Sequence, residues 1–196
     1  MTQILGGLKK GLAFVVSAPA GTGKTTLVRM LVEEFSCVVE SVSHTTRSPR
    51  PNEVEGRDYF FISKPEFEKK IQAGEFLEYA EVFGNLYGTS KKFVLQQQEK
   101  GKHVVLVIDT QGALQLMEKM EATFIFISPP SLEELKSRLH RRKSETEEAM
   151  AQRLSWAQKE ISLAGRYHYH IINDHLKIAY EVLRSILIAE EHKTGL

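Results

Sequence analysis

Residues 12–26 read LAFVVSAPAGTGKTT, and no other stretch restricts the folds open to this chain as tightly. Leu12–Val16 is a short apolar run with the length and composition of a buried strand. It leads through small residues, Ser17–Gly23, into Lys24-Thr25 and a helical pattern with Leu27, Val28 and Leu31 on one side. Strand, small-residue loop, Lys-Thr and helix form the setting of a phosphate-binding loop. Backbone N–H groups of such a loop point inward, and the helix N-terminus adds partial positive charge. The candidate loop comprises Ala18, Pro19, Ala20, Gly21, Thr22, Gly23, Lys24, Thr25 and Thr26. Lys24 would neutralise the β- and γ-phosphates of a nucleotide, and Thr25 would offer its hydroxyl to Mg²⁺. The motif opens on glycine, whereas this chain has Ala18, so the backbone there must adopt a conformation that a Cβ tolerates. A turn shaped only by tight strand–helix geometry has no reason to set Lys-Thr at the helix start. The loop is therefore read as a phosphate site.

Further apolar strands alternate with helical segments. Strand candidates are Cys37–Ser41, Val104–Ile108, Phe124–Ile127 and His170–Ile172. Helical patterns cover Lys91–Lys100, Gln111–Lys119, a segment capped by Ser131 and Glu134, Ala149–Leu163 and Leu176–Glu191. This alternation predicts an α/β fold, with a mostly parallel five-stranded core sheet covered by helices on both faces. Between residues 43 and 89 the pattern changes. Ser43–Asp58, SHTTRSPRPNEVEGRD, is polar, rich in turn formers and without a period, so it reads as a loop. Tyr59–Ile62 is strand-like, Ser63 and Glu66 box a short helix with Pro65 in its first turn, and Gly74 closes it. Phe76–Val82 alternates as a strand, Gly84-Asn85 reads as a turn, and Leu86–Thr89 resumes the strand pattern. These short elements predict a small α+β lobe inserted in the core. Residues 138–148, RLHRRKSETEE, form either a solvated helix tip or a flap whose arginines close over phosphates. The expected division is a core of residues 1–42, 90–139 and 160–196, a lobe of 43–89 and a lid of 140–159.

Composition excludes several alternatives. A chain of 196 residues with 42% apolar and 26% charged residues has the make-up of a soluble globule with one main core. Its net charge of +1 gives no support for general nucleic-acid or acidic-membrane binding. The single cysteine, Cys37, rules out an internal disulfide and a cysteine-rich zinc site, and its apolar setting suits a buried, inert thiol. No segment approaches the roughly 18 apolar residues needed to span a bilayer. Nothing at the N-terminus has the order of an export signal, so a cytoplasmic location is expected.

The inserted region carries its own chemistry. Arg47 and Arg50 flank Pro49, with Tyr59 close behind. Guanidinium forks and a phenol suit a phosphate, and the prolines would limit the entropy lost on gripping it. Glu53, Glu55 and Asp58 allow the other reading, surface ion pairs worth little. The phosphate loop shifts the balance, because two anions brought within reacting distance need clustered cations. Asp109, closing an apolar strand, suits either a helix N-cap or a carboxylate that orders Mg²⁺ through its waters. Glu78, on an alternating strand, is either a solvent-facing residue or an acceptor for the N1–H and amino donors of guanine.

Over nearly its whole length the chain resembles the guanylate kinase family. The resemblance rests on SAPAGTGKTT, SHTTRSPRPNEVEGRDYFF, GEFLEYAEVFGNLYGT, VIDTQG, IFISPPS, RLHRRKSETEEAMAQRL and IINDHL, in that order. It implies a P-loop nucleoside-monophosphate-kinase fold with a GMP-binding lobe and a helical lid, and transfer of the γ-phosphoryl of ATP to GMP with Mg²⁺. It implies that Ser43 and Glu78 face the guanine base, with Thr89 nearby in place of the usual serine. Arg47, Arg50, Tyr59 and Tyr87 would hold the GMP phosphate, and Asp109 would also reach the acceptor. Arg138, Arg142 and Arg153 would approach the transferred phosphate, and Asn173 the adenosine end of ATP. ATP and GMP, with dGMP a possible acceptor, are the implied small-molecule partners, with no nucleic acid and no membrane. Monomer and homodimer both stay open. The family's Gly-Pro-Ser-Gly is Ala18-Pro19-Ala20-Gly21 here, its Asp-x-Asp is Val107-Ile108-Asp109, and its Arg-Gly-Thr is Arg142-Lys143-Ser144. Two further readings are a non-catalytic interaction module of the same fold, which usually lacks the phosphate loop, and a monophosphate kinase with altered base preference.

Overall fold

The computed structural model describes residues 4–140 and 147–194. Strand β1 (Ala13–Ser17) is buried at every position. It lies at the centre of a five-stranded sheet ordered β2 (Val38–Ser41), β7 (His103–Val107), β1, β8 (Thr123–Ser128) and β9 (Tyr169–Ile172). Every pairing in it is parallel. Strands this apolar require cover on both faces, and helices supply it. On one face Phe14, Val16, Val105, Ile125 and Ile127 pack against α1 (Lys24–Glu34) and α7 (Leu176–Glu191). On the other, Val15, Leu106 and Phe126 meet α3 (Lys91–Glu99) and α4 (Thr110–Met117) through Val94, Ala113 and Leu116. Cys37 is a free, buried thiol beside the first core.

A second sheet of four strands is ordered β4 (Phe60–Phe61), β3 (His44–Thr45), β6 (Asn85–Ser90) and β5 (Phe76–Val82). Helix α2 (Lys64–Gln72) starts with the capping box formed by Ser63 and Glu66. Its Phe67 is fully buried and its ring lies 4.6 Å from that of Phe76. Gly88 lets β6 pass this pair, because a Cβ there would stand 2.9 Å from the end of the Phe67 ring.

Two expectations for this region need correction. The polar segment Ser43–Asp58 is not all loop, since His44–Thr45 forms β3, parallel to β4 and antiparallel to β6. A strand of two residues leaves no readable period, and only its partners across the sheet define it. The hairpin turn also falls one residue earlier than Gly84-Asn85. Val82 pairs with Asn85, and Phe83 (φ 50°) and Gly84 (φ 77°) make the turn.

Helices α5 (Leu132–His140) and α6 (Glu147–Ser162) meet through Leu135, Leu139, Met150 and Ala157. Part of the expected flap, residues 141–146, lies outside the described residues. Among the described residues no helix is long and apolar enough to cross a membrane.

Candidate active site

The first turn of α1 begins at Gly23, which is left-handed and offers no side-chain cap, so the helix's leading N–H groups face the loop unopposed. Gly21 (φ 91°) and Gly23 (φ 90°) take the positive-φ positions, and Ala18 does not. Instead Ala18 is only 4% exposed and packs in the core, which is how the loop accommodates its methyl. Thr22 Oγ1 donates to the Pro19 carbonyl at 2.8 Å, and Asn173 Nδ2 donates to the Thr22 carbonyl at 2.7 Å. These two bonds hold the loop from inside and behind.

Lys24 Nζ donates to the Ile108 carbonyl at 3.1 Å, at the end of β7. Burial pushes its ammonium below the usual lysine range, opposed by the negative charges of Glu160, Asp109 and Glu40. Asp109 caps α4: one carboxylate oxygen accepts from the Gly112 N–H at 2.9 Å and the other from Gln111 Nε2 at 3.0 Å.

Across from the loop, a cavity of about 330 Å³ runs between the two sheets. Residues of the loop from Ala18 to Thr26 line one side, and Ser43, Arg47, Arg50, Tyr59, Glu78 and Tyr87 line the other. Arg47 Nη2 donates to both carboxylate oxygens of Glu53, at 2.8 and 2.9 Å, and the guanidinium lies 5.3 Å from the centre of the Tyr59 ring. The ion pair of the second reading is therefore present, and Glu53 fixes Arg47 while the arginine still lines the cavity. Arg50 is exposed and lies 3.9 Å from the same carboxylate. Glu78 is not solvent-facing. It is 4% exposed and accepts the Thr89 hydroxyl at 2.5 Å. Burial pushes its carboxyl up to about 7, with Asp109 adding to the rise and Thr89 opposing it. Gly112 leaves room for this group, since a Cβ there would stand 2.3 Å from a Glu78 oxygen.

A model of the guanylate kinase family, described as "Guanylate kinase", matches residues 10–190. The chain belongs to the guanylate kinase family. It is 59% identical over 192 residues to guanylate kinase of Protochlamydia amoebophila, covering 97% of this chain and 98% of that protein. Guanylate kinase of Chlamydia felis is 50% identical, over 93% of this chain and 90% of its own. The crystal structure of guanylate kinase from Anaplasma phagocytophilum superposes with a TM-score of 0.80 at 39% identity, covering 94% of this chain and 88% of that one.

Not every expected residue of this kinase reaches the cavity. Thr89 is fully buried beneath Glu78 and acts on it through their hydrogen bond. Arg138 donates to Glu134 at 2.8 Å and to the Asn173 carbonyl at 3.1 Å, outside the cavity lining. Asn173, expected near adenosine, has its side chain behind the phosphate loop. Arg142 lies outside the described residues. Arg153 does line the cavity, together with Val107, Ile108 and Asp109.

Helix α6 adds two residues that sequence reasoning missed, Trp156 and Glu160. The available signal was the spacing of Arg153, Trp156 and Glu160, which places them along one helical face. Glu160 is 6% exposed, accepts the Thr110 hydroxyl at 3.5 Å, and is pushed up to about 7 by burial against the favourable charge of Lys24.

Glu78 and Glu160 carry raised folded-state pKa values, so each binds its proton more readily in the folded chain. Their stabilising contribution is complete below the ordinary value of 4.5 and is lost as pH rises toward about 7. The Tm of the unliganded protein should therefore fall between about pH 5 and about pH 8 by more than that of the Glu78→Gln/Glu160→Gln variant, the difference being on the order of 5 °C. Parallel pH profiles of the two proteins would remove these carboxyls as the cause.

Proposed function

We propose that the kinase catalyses ATP + GMP = ADP + GDP by direct in-line transfer of the γ-phosphoryl group. The observation that carries this reading is one cavity joining the phosphate loop and Lys24 to the arginine–tyrosine set and the buried Glu78. In this reading ATP lays its phosphates on residues 18–26, with Asn173 supporting that loop from behind. GMP sets its phosphate against Arg47, Arg50, Tyr59 and Tyr87, and its base against Ser43 and Glu78, with Thr89 behind the carboxylate. Holding both anions aligned replaces a bimolecular encounter by a positioned one. Lys24 and Arg153 then stabilise the charge spread over the transferred group, with Arg138 and Arg142 expected to join on closure. Closure would exclude water, which protects ATP from hydrolysis.

The donor set suits Mg²⁺ carried in by the nucleotide. Among the described residues no group of three or more His, Cys, Asp or Glu side chains could hold a metal alone. Magnesium keeps several waters and is usually shared between one or two protein oxygens and substrate phosphates. Thr25 is exposed at the start of α1 and would bind it directly, and Asp109, already capping α4, would reach it through water. When bound, the ion neutralises charge on the β- and γ-phosphate oxygens.

The second sheet supports reading residues 43–89 as the acceptor lobe, with 140–159 as lid and the remainder as core. A cytoplasmic location fits substrates of this kind. The intact Gly21-Thr22-Gly23-Lys24-Thr25 loop disfavours a non-catalytic module. The deciding experiment measures ADP formation from MgATP with GMP, dGMP, AMP, CMP and UMP as separate acceptors, against a blank without acceptor. Turnover confined to guanine nucleotides is expected. Comparable rates with another base would assign a changed base site, traced to Val107 in place of the family's first carboxylate.

A further inference from the structure

Phe83 is the only non-glycine residue with positive φ among the described residues. It occupies the first central position of the two-residue turn between β5 and β6, where asparagine or aspartate before glycine is the usual choice. A bulky side chain at φ 50° is strained, and this one is also 48% exposed, so core burial does not explain it. Its ring instead reaches across to α6. The Arg153 guanidinium lies 5.6 Å from the centre of the Phe83 ring, and the Trp156 ring lies 6.0 Å away at 52°. All three side chains line the cavity that holds Lys24 and Glu78.

We infer that Phe83 is a positioning residue that couples the acceptor hairpin to the placement of Arg153. The inference rests on the proposed GMP kinase reading, in which β5 carries Glu78 and β6 carries Tyr87 to the acceptor. One hairpin thus contacts the acceptor along its strands and Arg153 at its tip. A cation over an aromatic face is held in direction without losing its charge or its outward N–H donors. Acceptor binding that settles the hairpin then settles Arg153, so the arginine is in place when a phosphate acceptor is present. Water, which engages neither Glu78 nor Tyr87, gains no such help.

The test compares Phe83→Leu, Phe83→Gly and Phe83→Tyr with the wild type in kcat and KM for GMP, thermal unfolding and Trp156 emission. Trp156 is the only tryptophan in the chain, so its emission on titration with GMP alone reads the contact without catalysis. The expected result is a kcat lower by about tenfold in the leucine and glycine variants, with KM for GMP within about threefold of wild type. The tyrosine variant, which keeps the ring face, should retain kcat within about twofold. Phe83→Gly also relieves the positive-φ strain, so its Tm should match or exceed that of wild type while kcat falls. The GMP-induced change in Trp156 emission should disappear in the leucine and glycine variants.

Equal losses in the tyrosine and leucine variants, wild-type kcat in the leucine and glycine variants, or an emission change that survives Phe83→Leu would each overturn the coupling. So would a Tm that falls with kcat in both ring-deleting variants, which marks an ordinary structural contact. A wild type that fails to phosphorylate GMP at all brings down the functional reading and this coupling with it. That result is distinct from an active wild type with unimpaired variants, which brings down the coupling alone.

Discussion

Lys24→Ala should yield a folded protein whose turnover is lower by at least about a hundredfold. The lysine stands where the phosphate loop meets the end of β7, and its ammonium donates to the Ile108 carbonyl. Burial already disfavours its charged form, so the fold loses little when the ammonium is removed. The transferred phosphoryl group loses much more. Charge spreads over its oxygens as it leaves ADP, in a cavity where water screens poorly, and no other loop side chain carries a positive charge. Arg153 lines the same cavity but extends from α6, opposite the loop. The measurements are steady-state kcat and KM for MgATP and GMP, beside a thermal melt. A Tm within a few degrees of wild type with the stated loss of kcat is the expected pair. Near-normal turnover would remove Lys24 from the reaction.

Glu78→Gln should lower kcat/KM for GMP by about 2–4 kcal/mol of transition-state binding and narrow the preference for GMP over AMP. The guanine edge presents N1–H and an amino group side by side, and an ionised carboxylate offers an acceptor to each. In the variant, the Thr89 hydroxyl keeps its bond by donating to the amide carbonyl. The amide NH₂ is thereby turned toward the base, where a donor meets a donor. The swap keeps the volume and removes a carboxyl that is buried and pushed up to about 7, so unliganded stability should hold. The same protonation gives a second signature. Wild-type kcat/KM for GMP should rise as pH passes through about 7, because only the ionised form accepts both bonds, and this rise should be absent from the variant. An unchanged GMP/AMP ratio would place base recognition elsewhere in the cavity.

How well the sequence foretold these sites depended on how local each determinant was. The phosphate loop was legible because strand, glycines, Lys24 and helix start are contiguous, and local geometry alone makes them a site. The five apolar strands were legible for a similar reason, since runs such as HVVLV and TFIFIS suit few environments other than a covered parallel sheet. Strand β3 was missed because two polar residues become a strand only when β4 and β6 flank them. Glu78 looked ambivalent because alternation along β5 says which residues share a face, and not that α4 packs Gly112 against that face. Glu160 and Trp156 passed as ordinary helical residues because their place in the cavity wall depends on where α6 lies against the loop.

The sequence by itself thus determined the fold class, the phosphate loop and the family, all through short-range patterns or contiguous motifs. Tertiary structure alone decided which carboxylates are buried near Lys24, that Thr89 bonds Glu78 and Asn173 bonds the phosphate loop, and that Phe83 meets Arg153. Those outcomes depend on contacts between residues far apart in the chain. Burial and electric field belong to the assembled site, and no single segment carries them.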